Sequence, residues 1–269
     1  MSGSRVKAVT SASNPLVREA LAVARGKGGP GLCLIEGPRV LASALDAAER
    51  EPGRVSVERV YQTAGFAGRH PGIIARLAVD RVDVPPEIMQ RLTETGSPQG
   101  VAAICRIREW GLADLIARTG PMVLAERVQD PGNMGTIVRA ADAVRAAGVI
   151  VLPGSADPFG PKAIRASAGS VLNLPVIRLS EATEAMDALD AMGVALVAAL
   201  AHGGVDLFSA EIPRRVCFVL GNEGAGLDSA LRARAALRVR VPMPGHAESL
   251  NVAMTATVLL YDWLRRYPA

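Results

Sequence analysis

The amino-acid sequence predicts an α/β protein in two parts: a small N-terminal α/β domain over residues 1–108 and a larger C-terminal domain over 120–269 built on a parallel sheet. Two observations carry this prediction. In the C-terminal half, five short apolar runs at 121–125, 148–152, 194–200, 216–220 and 237–241 are separated by Ala-rich helical segments at 134–147, 181–191 and 228–236. Apolar runs of about five residues placed between helices indicate a parallel sheet covered on both faces. The N-terminal half has shorter β-rich runs of its own, and polar and small residues between 106 and 120 divide the two halves, which makes 109–119 the expected linker.

In chain order, Ser13 or Asn14 is placed to cap a first helix, with Pro15 in its first turn and Leu16, Leu21 and Val23 as its apolar face. The loop at 26–31, GKGGPG, ends that helix. Strands are expected at 32–35, 55–61 and 101–107, with helices near 38–48 and 85–94. Beyond residue 121 the sheet strands and helices follow as given above. The last segment, 251–266, is a helix with Val252, Thr255, Val258, Leu259 and Trp263 on a broad apolar side, which calls for burial against the body or a partner subunit.

Composition narrows the function classes. With 269 residues, 49% of them hydrophobic, the chain has ample material for buried cores. Nothing approaches the roughly 20 uninterrupted apolar residues of a membrane span, and the N-terminus lacks the apolar core of a signal peptide, so a cytoplasmic protein is expected. Cys33, Cys105 and Cys217 are far apart and each lies in an apolar run, the setting of buried free thiols. His70, His202 and His246 share no metal-ligand spacing, and no metal is expected. The net charge of +4 is unevenly distributed: residues 1–111 hold 15 Lys and Arg against 11 Asp and Glu, whereas 112–269 hold 15 of each. A polyanionic partner gains affinity from such an excess, and an ordinary arginine-rich surface explains it equally well.

Three segments carry the chemistry: 130–139 (DPGNMGTIVR), 220–227 (LGNEGAGL) and 242–251 (PMPGHAESLN). Each joins backbone-exposing glycines to one or two polar side chains beside an apolar strand, the way a small-molecule site is built from loops on a rigid sheet. The glycine order in 221–226 is Gly-x-x-Gly-x-Gly, which is not the dinucleotide-binding pattern. Taken singly, 221–226 reads also as a plain strand-to-helix turn, and Ser249 or Asn251 as a helix N-cap.

In this order the segments resemble those of the SpoU/TrmH family of RNA ribose 2′-O-methyltransferases, within the SPOUT superfamily: Asn-x-Gly-x-x-x-Arg at 133–139, Gly-Asn-Glu-Gly at 221–224 and Ser-Leu-Asn at 249–251. The resemblance continues through Ser13-Asn-Pro, Glu36-Gly and Ser97-Pro-Gln-Gly into the N-terminal half, which looks like that group's L30e-like substrate-binding domain. It implies a C-terminal domain tied in a deep trefoil knot, an exception to the rule against threaded chains, and a homodimer. It implies S-adenosylmethionine as cofactor, held by Ala199, Leu200, Gly203, Leu220, Gly221, Asn222, Gly224, Val241, Met243, Ser249 and Leu250. It makes Arg139 the catalytic residue, with Asn133, Glu223, Ser249 and Asn251 in the same machinery. Arg139, Lys162 and Arg165 are the expected RNA contacts, though a solvated basic helix face accounts for the last two nearly as well.

The implied activity is methyl transfer to a ribose 2′-OH of RNA, ribosomal RNA before transfer RNA because of the dedicated N-terminal domain. Base methylation and a silent RNA-binding or ribosome-assembly protein are the alternatives. The Asn-x-Gly-x-x-x-Arg and Ser-Leu-Asn pair favours ribose chemistry. Few aromatics, four Phe, three Tyr and two Trp, make recognition by RNA shape and backbone the expectation.

Overall fold

A computed structural model describes residues 6–93, 95–222 and 224–268. The chain divides into two compact units, one of residues 1–109 with 159–173 and the other of 110–158 with 174–269.

The first unit contains β1 (Val6–Ala8), α1 (Pro15–Ala24), β2 (Leu32–Glu36), α2 (Pro38–Arg50), β3 (Val55–Gln62), α3 (Phe66–Arg69), α4 (Pro71–Ala75), β4 (Arg81–Asp83), α5 (Pro86–Leu92) and β5 (Val101–Ile107). Its sheet runs β1-β4-β3-β5-β2 and is mixed: β5 lies antiparallel to both β2 and β3. Helix α1 starts where the sequence places it, with the Asn14 side chain accepting from Leu16 N at 3.0 Å and Pro15 in the first turn. Its buried Val17 and Ala20 pack with Tyr61, Met89 and Ile104 in one apolar cluster, and the Tyr61 hydroxyl donates to Leu16 O at 2.7 Å.

The second unit contains, in chain order, α6 (Leu112–Ile116), β6 (Met122–Ala125), α7 (Pro131–Ala143) and β7 (Gly148–Val151). The chain then contributes α8 (Pro161–Ala166) and a short turn of 3-10 helix to the first unit. It returns to the second unit with β8 (Val176–Arg178), α9 (Ala182–Ala191), β9 (Ala195–Ala199), β10 (Val205–Asp206), β11 (Val216–Leu220), α10 (Ser229–Arg234), β12 (Leu237–Arg240) and α11 (Val252–Arg266). The sheet order is β10-β12-β9-β11-β6-β7-β8, and every pairing in it is parallel. The central strands β6, β7 and β11 are buried at every residue, as their unbroken apolar runs require.

Two features differ from the sequence reading. Residues 109–119, expected as a linker, hold α6, whose Leu115 and Ile116 enter the core of the second unit beside Trp110 and Leu112. The apolar side chains recur at helical spacing, and burying them outweighs the polar character of their neighbours. Residues 159–173, expected within the C-terminal domain, belong to the first unit. The buried Arg54 donates to Leu172 O at 2.9 Å, and Arg165 pairs with Glu36 at 2.9 Å. No helix among the described residues is long and apolar enough to cross a membrane.

Candidate active site

In a parallel sheet the loops that follow the strands gather at one edge, and ligands bind there, where the strand order reverses. Here the chain steps outward through β6, β7 and β8, then crosses to β9 and returns through β11. At this edge a cavity of about 580 Å³ opens, a size suited to a cofactor. Its walls are the end of β9 (Ala199, Leu200), the end of β11 with its loop (Leu220, Gly221, Asn222, Gly224) and the segment after β12 (Val241, Met243, Ser249, Leu250, Asn251). The first turn of α11 adds Val252 and Thr255.

The loop after β11 is braced from β6. The Asn222 side chain accepts from Gly224 N and Ala225 N, both at 2.9 Å, and donates to Arg127 O at 3.0 Å. Glu126, 7% exposed, accepts from Asp228 N at 2.9 Å and pairs with Arg127 at 3.1 Å. A buried carboxylate is tolerated only with such partners. The turn closes so tightly that a Cβ on Gly221 would sit 2.7 Å from the carbonyl carbon of Gly226, whose own φ is +69°. Both positions therefore require glycine.

The first and third motif segments meet through their asparagines: Asn251 Nδ2 donates to Asn133 Oδ1 at 3.0 Å. Asn251 also caps α11, accepting from Ala253 N at 2.9 Å and Met254 N at 3.3 Å. One residue thus fixes the helix, faces the cavity and ties the two segments together. Asn133 is held in turn through its N–H, which donates to the Asp130 cap of α7 at 2.9 Å.

Other expected residues lie elsewhere. Arg139 is exposed on α7, off the cavity wall, and pairs with no described carboxylate. Gly203 falls outside the wall: the turn after β9 presents Leu200, Ala201 and His202 instead, and the space around Gly203 is open to 4 Å. Lys162 and Arg165 sit on α8 of the first unit. Glu223 lies outside the described residues. Ala201, His202, Ala225, Arg232 and Thr255 line the cavity without having been named as cofactor residues from the sequence, and Glu126 and Arg127 brace it unseen. A charged pair directly after an apolar strand was the available signal for these last two. Cys217, buried in β11 beneath the cavity loop, has its thiol pushed far above the usual range by burial, which leaves it unsuited to act as a nucleophile. Among the described residues no His, Cys, Asp and Glu group is arranged to hold a metal.

The all-parallel sheet, with a cavity formed by the loops at its carboxyl edge, defines the class: an α/β domain whose candidate ligand site lies at the strand ends. The model of the SpoU rRNA methylase family matches residues 120–261, and the chain belongs to that family. It is 36% identical over 209 residues to the 23S rRNA (guanosine(2553)-2′-O)-methyltransferase RlmP of Bacillus subtilis, covering 72% of this chain and 82% of that protein. Among solved structures, the AdoMet-bound rRNA methyltransferase from Sinorhizobium meliloti superposes with a TM-score of 0.85 at 29% identity, covering 98% of this chain and 99% of that one. The SpoU methyltransferase AviRb from Streptomyces viridochromogenes, in complex with AdoMet, gives a TM-score of 0.83 at 29% identity, covering 94% of this chain and 98% of that one.

Proposed function

We propose that this protein transfers a methyl group from S-adenosylmethionine to a ribose 2′-OH of ribosomal RNA. The observation that carries the reading is the single cavity wall formed by the second and third motif segments, tied through Asn251 and Asn133 to the first, in a chain of the SpoU family. The residues suit the cofactor. Ala199, Leu200, Leu220 and Leu250 offer apolar surface for an adenine ring, Gly221 lets a ligand approach the backbone, and Asn222, Ser249 and Asn251 supply polar groups. Bound there, the cofactor supplies a methyl group on a sulfonium that is its own leaving group, so the chemistry needs no metal.

The chain must orient the 2′-OH and assist loss of its proton. A guanidinium donates hydrogen bonds and is no proton acceptor. Arg139 is therefore assigned to hold an RNA phosphate together with the reacting oxygen, stabilising the developing alkoxide, while phosphate or water takes the proton. Asn133 and Asn251 keep α7 and α11 in register around it, and Glu223 is assigned to orient Asn133 or Arg139.

The finer architecture belongs to the same reading. The segments at 200–251 are taken to form the deep trefoil knot, supported by the return of β11 between β9 and β6 after β10 has gone to the sheet edge. Residues 1–108 are taken as an L30e-like RNA-binding domain, supported by the positive excess there, with Lys162 and Arg165 contributing from α8. The chain is taken to act as a homodimer through α11, on which Met254 and Tyr261, seven residues apart, are 62% and 50% exposed.

The test is incorporation of labelled methyl into unmodified ribosomal and transfer RNA, followed by alkaline hydrolysis. Label in alkali-resistant dinucleotides from ribosomal RNA is expected. Arg139→Ala should lower the rate by at least about 100-fold with cofactor binding retained. Label released with mononucleotides would mean base methylation, and label confined to transfer RNA would reassign the substrate. An Arg139→Lys enzyme turning over normally would remove the forked-donor role.

A further inference from the structure

The second unit has another cavity, of about 600 Å³, at the amino edge of its sheet, where β6 and β11 begin and where α6, α7, α9 and α11 end. Four arginines line it: Arg118 after α6, Arg145 after α7, and Arg214 and Arg215 ahead of β11. No Asp or Glu is among its lining residues, and none of the four guanidinium groups is paired with a described carboxylate. This concentration is local, since residues 112–269 carry as many acidic as basic side chains.

The walls are firmly held. Trp263 Nε1 donates to Arg214 O at 3.0 Å, the Tyr267 hydroxyl donates to Ile212 O at 2.7 Å, and Arg118 stacks over the Trp110 ring at 5.7 Å. Arg145 enters the wall from the end of a helix. It terminates α7 with φ +54°, its N–H donating to Asp142 O at 3.0 Å and the next N–H donating to Ala141 O at 2.9 Å. That helix ending is ordinarily filled by glycine, and here it carries an arginine that lines the cavity.

We propose that this arginine-lined cavity is a second RNA-binding site, taking backbone phosphates of the substrate at the edge of the sheet opposite the methyl-transfer cavity. This rests on the reading of the protein as an RNA methyltransferase. Guanidinium groups bind phosphate oxygens in a forked geometry, and an RNA strand presents phosphates in series, so that one ligand satisfies several arginines at once.

The test uses binding of a labelled single-stranded RNA of about 24 nucleotides, followed by anisotropy between about 50 and 200 mM salt. It compares wild type, the double variant Arg118→Ala with Arg215→Ala, and Arg145→Gly. The double variant should bind about tenfold more weakly, and its salt slope should fall by about 0.7 for each phosphate that is no longer neutralised. Arg145→Gly should also weaken RNA binding, yet melt at the same or a higher temperature because the strain is gone. Both should bind S-adenosylmethionine as wild type does, which shows that they are folded. RNA affinity and salt slope unchanged in both variants would overturn the proposal, as would displacement by poly-glutamate as effective as that by RNA, which would favour an acidic protein segment. Those results leave the methyltransferase reading standing. That reading fails separately, if wild type binds neither S-adenosylmethionine nor transfers methyl to any RNA.

Discussion

The two edges of the parallel sheet in the second unit hold cavities of nearly equal volume, about 580 and 600 Å³, built on opposite principles. The carboxyl edge exposes backbone. Its glycines and asparagines shape a pocket in which Arg232 and His202 are the only described side chains able to carry positive charge. The amino edge exposes charge, with four arginines from three separate connections. The first arrangement suits a small ligand recognised by close fit to backbone and amide groups, the second a polyanion recognised by its phosphates. A sheet edge is thus a frame whose function is set by whether the flanking connections are rich in glycine or in guanidinium groups.

Helix α11 touches both cavities, lining the carboxyl-edge one with Val252 and Thr255 and the amino-edge one with Trp263 and, just past its end, Tyr267. Its last turn is anchored by Asp262, 6% exposed, which pairs with Arg265 at 2.8 Å and Arg266 at 2.7 Å. Arg266 in turn donates to Leu207 O at 2.8 Å and Ala210 O at 2.6 Å. Removing Asp262 loses two charge-assisted hydrogen bonds while Arg265 stays solvated and Arg266 keeps its two carbonyl partners, so Asp262→Ala should lower stability by about 1.5–3 kcal/mol. This is the largest effect expected, and it should weaken both cavities together. Chemical denaturation measures the first consequence, and parallel titrations with S-adenosylmethionine and RNA measure the second. Loss at one edge alone would mean that the two sites do not share the helix as a common support.

Gly221→Ala separates the edges. The added methyl would meet the Gly226 backbone at 2.7 Å, and overpacking of this kind costs about 1–3 kcal/mol. Because the strain falls in the cavity wall, cofactor affinity should drop by about tenfold or more while RNA binding holds. Calorimetry with S-adenosylmethionine checks it. An unchanged affinity would mean that the loop after β11 is not part of the cofactor site.

The same contrast explains what could be read from the sequence. The carboxyl-edge site was legible because its residues lie in three contiguous segments, two of them following an apolar run that announces a buried strand and the third following Leu237–Arg240, where apolar residues alternate with the exposed Arg238 and Arg240. Strands β8 and β10 were not, since Val176–Arg178 and Val205–Asp206 are too short to show a pattern. The Asn251 to Asn133 bond spans 118 residues, and no local rule announces it. Nor could the arginine cavity be seen: Arg118, Arg145, Arg214 and Arg215 are scattered in the sequence and meet only because the strands they flank lie side by side. The placing of 159–173 with the first unit has the same origin, since it rests on Arg54 reaching Leu172 across 118 positions.

The smallest effect concerns the buried thiols, one of them in the strand that joins the two edges. Burial pushes Cys217 in β11 and Cys105 in β5 well above the usual thiol range, because the thiolate cannot be solvated in an apolar core. In the unfolded chain both ionise near the ordinary value of about 8.5. The folded state therefore holds more protons than the unfolded one above that pH. Stability conferred by the neutral thiols is fully present below it and declines as the pH rises beyond it. A disulfide reagent should modify neither thiol at pH 7 to 9 until denaturant is added, and the denaturation midpoint should begin to fall only above about pH 8.5. Rapid modification of Cys217 in the folded protein would mean that β11 opens to solvent, and a strand that opens cannot hold the loop at one edge and the arginines at the other in fixed positions.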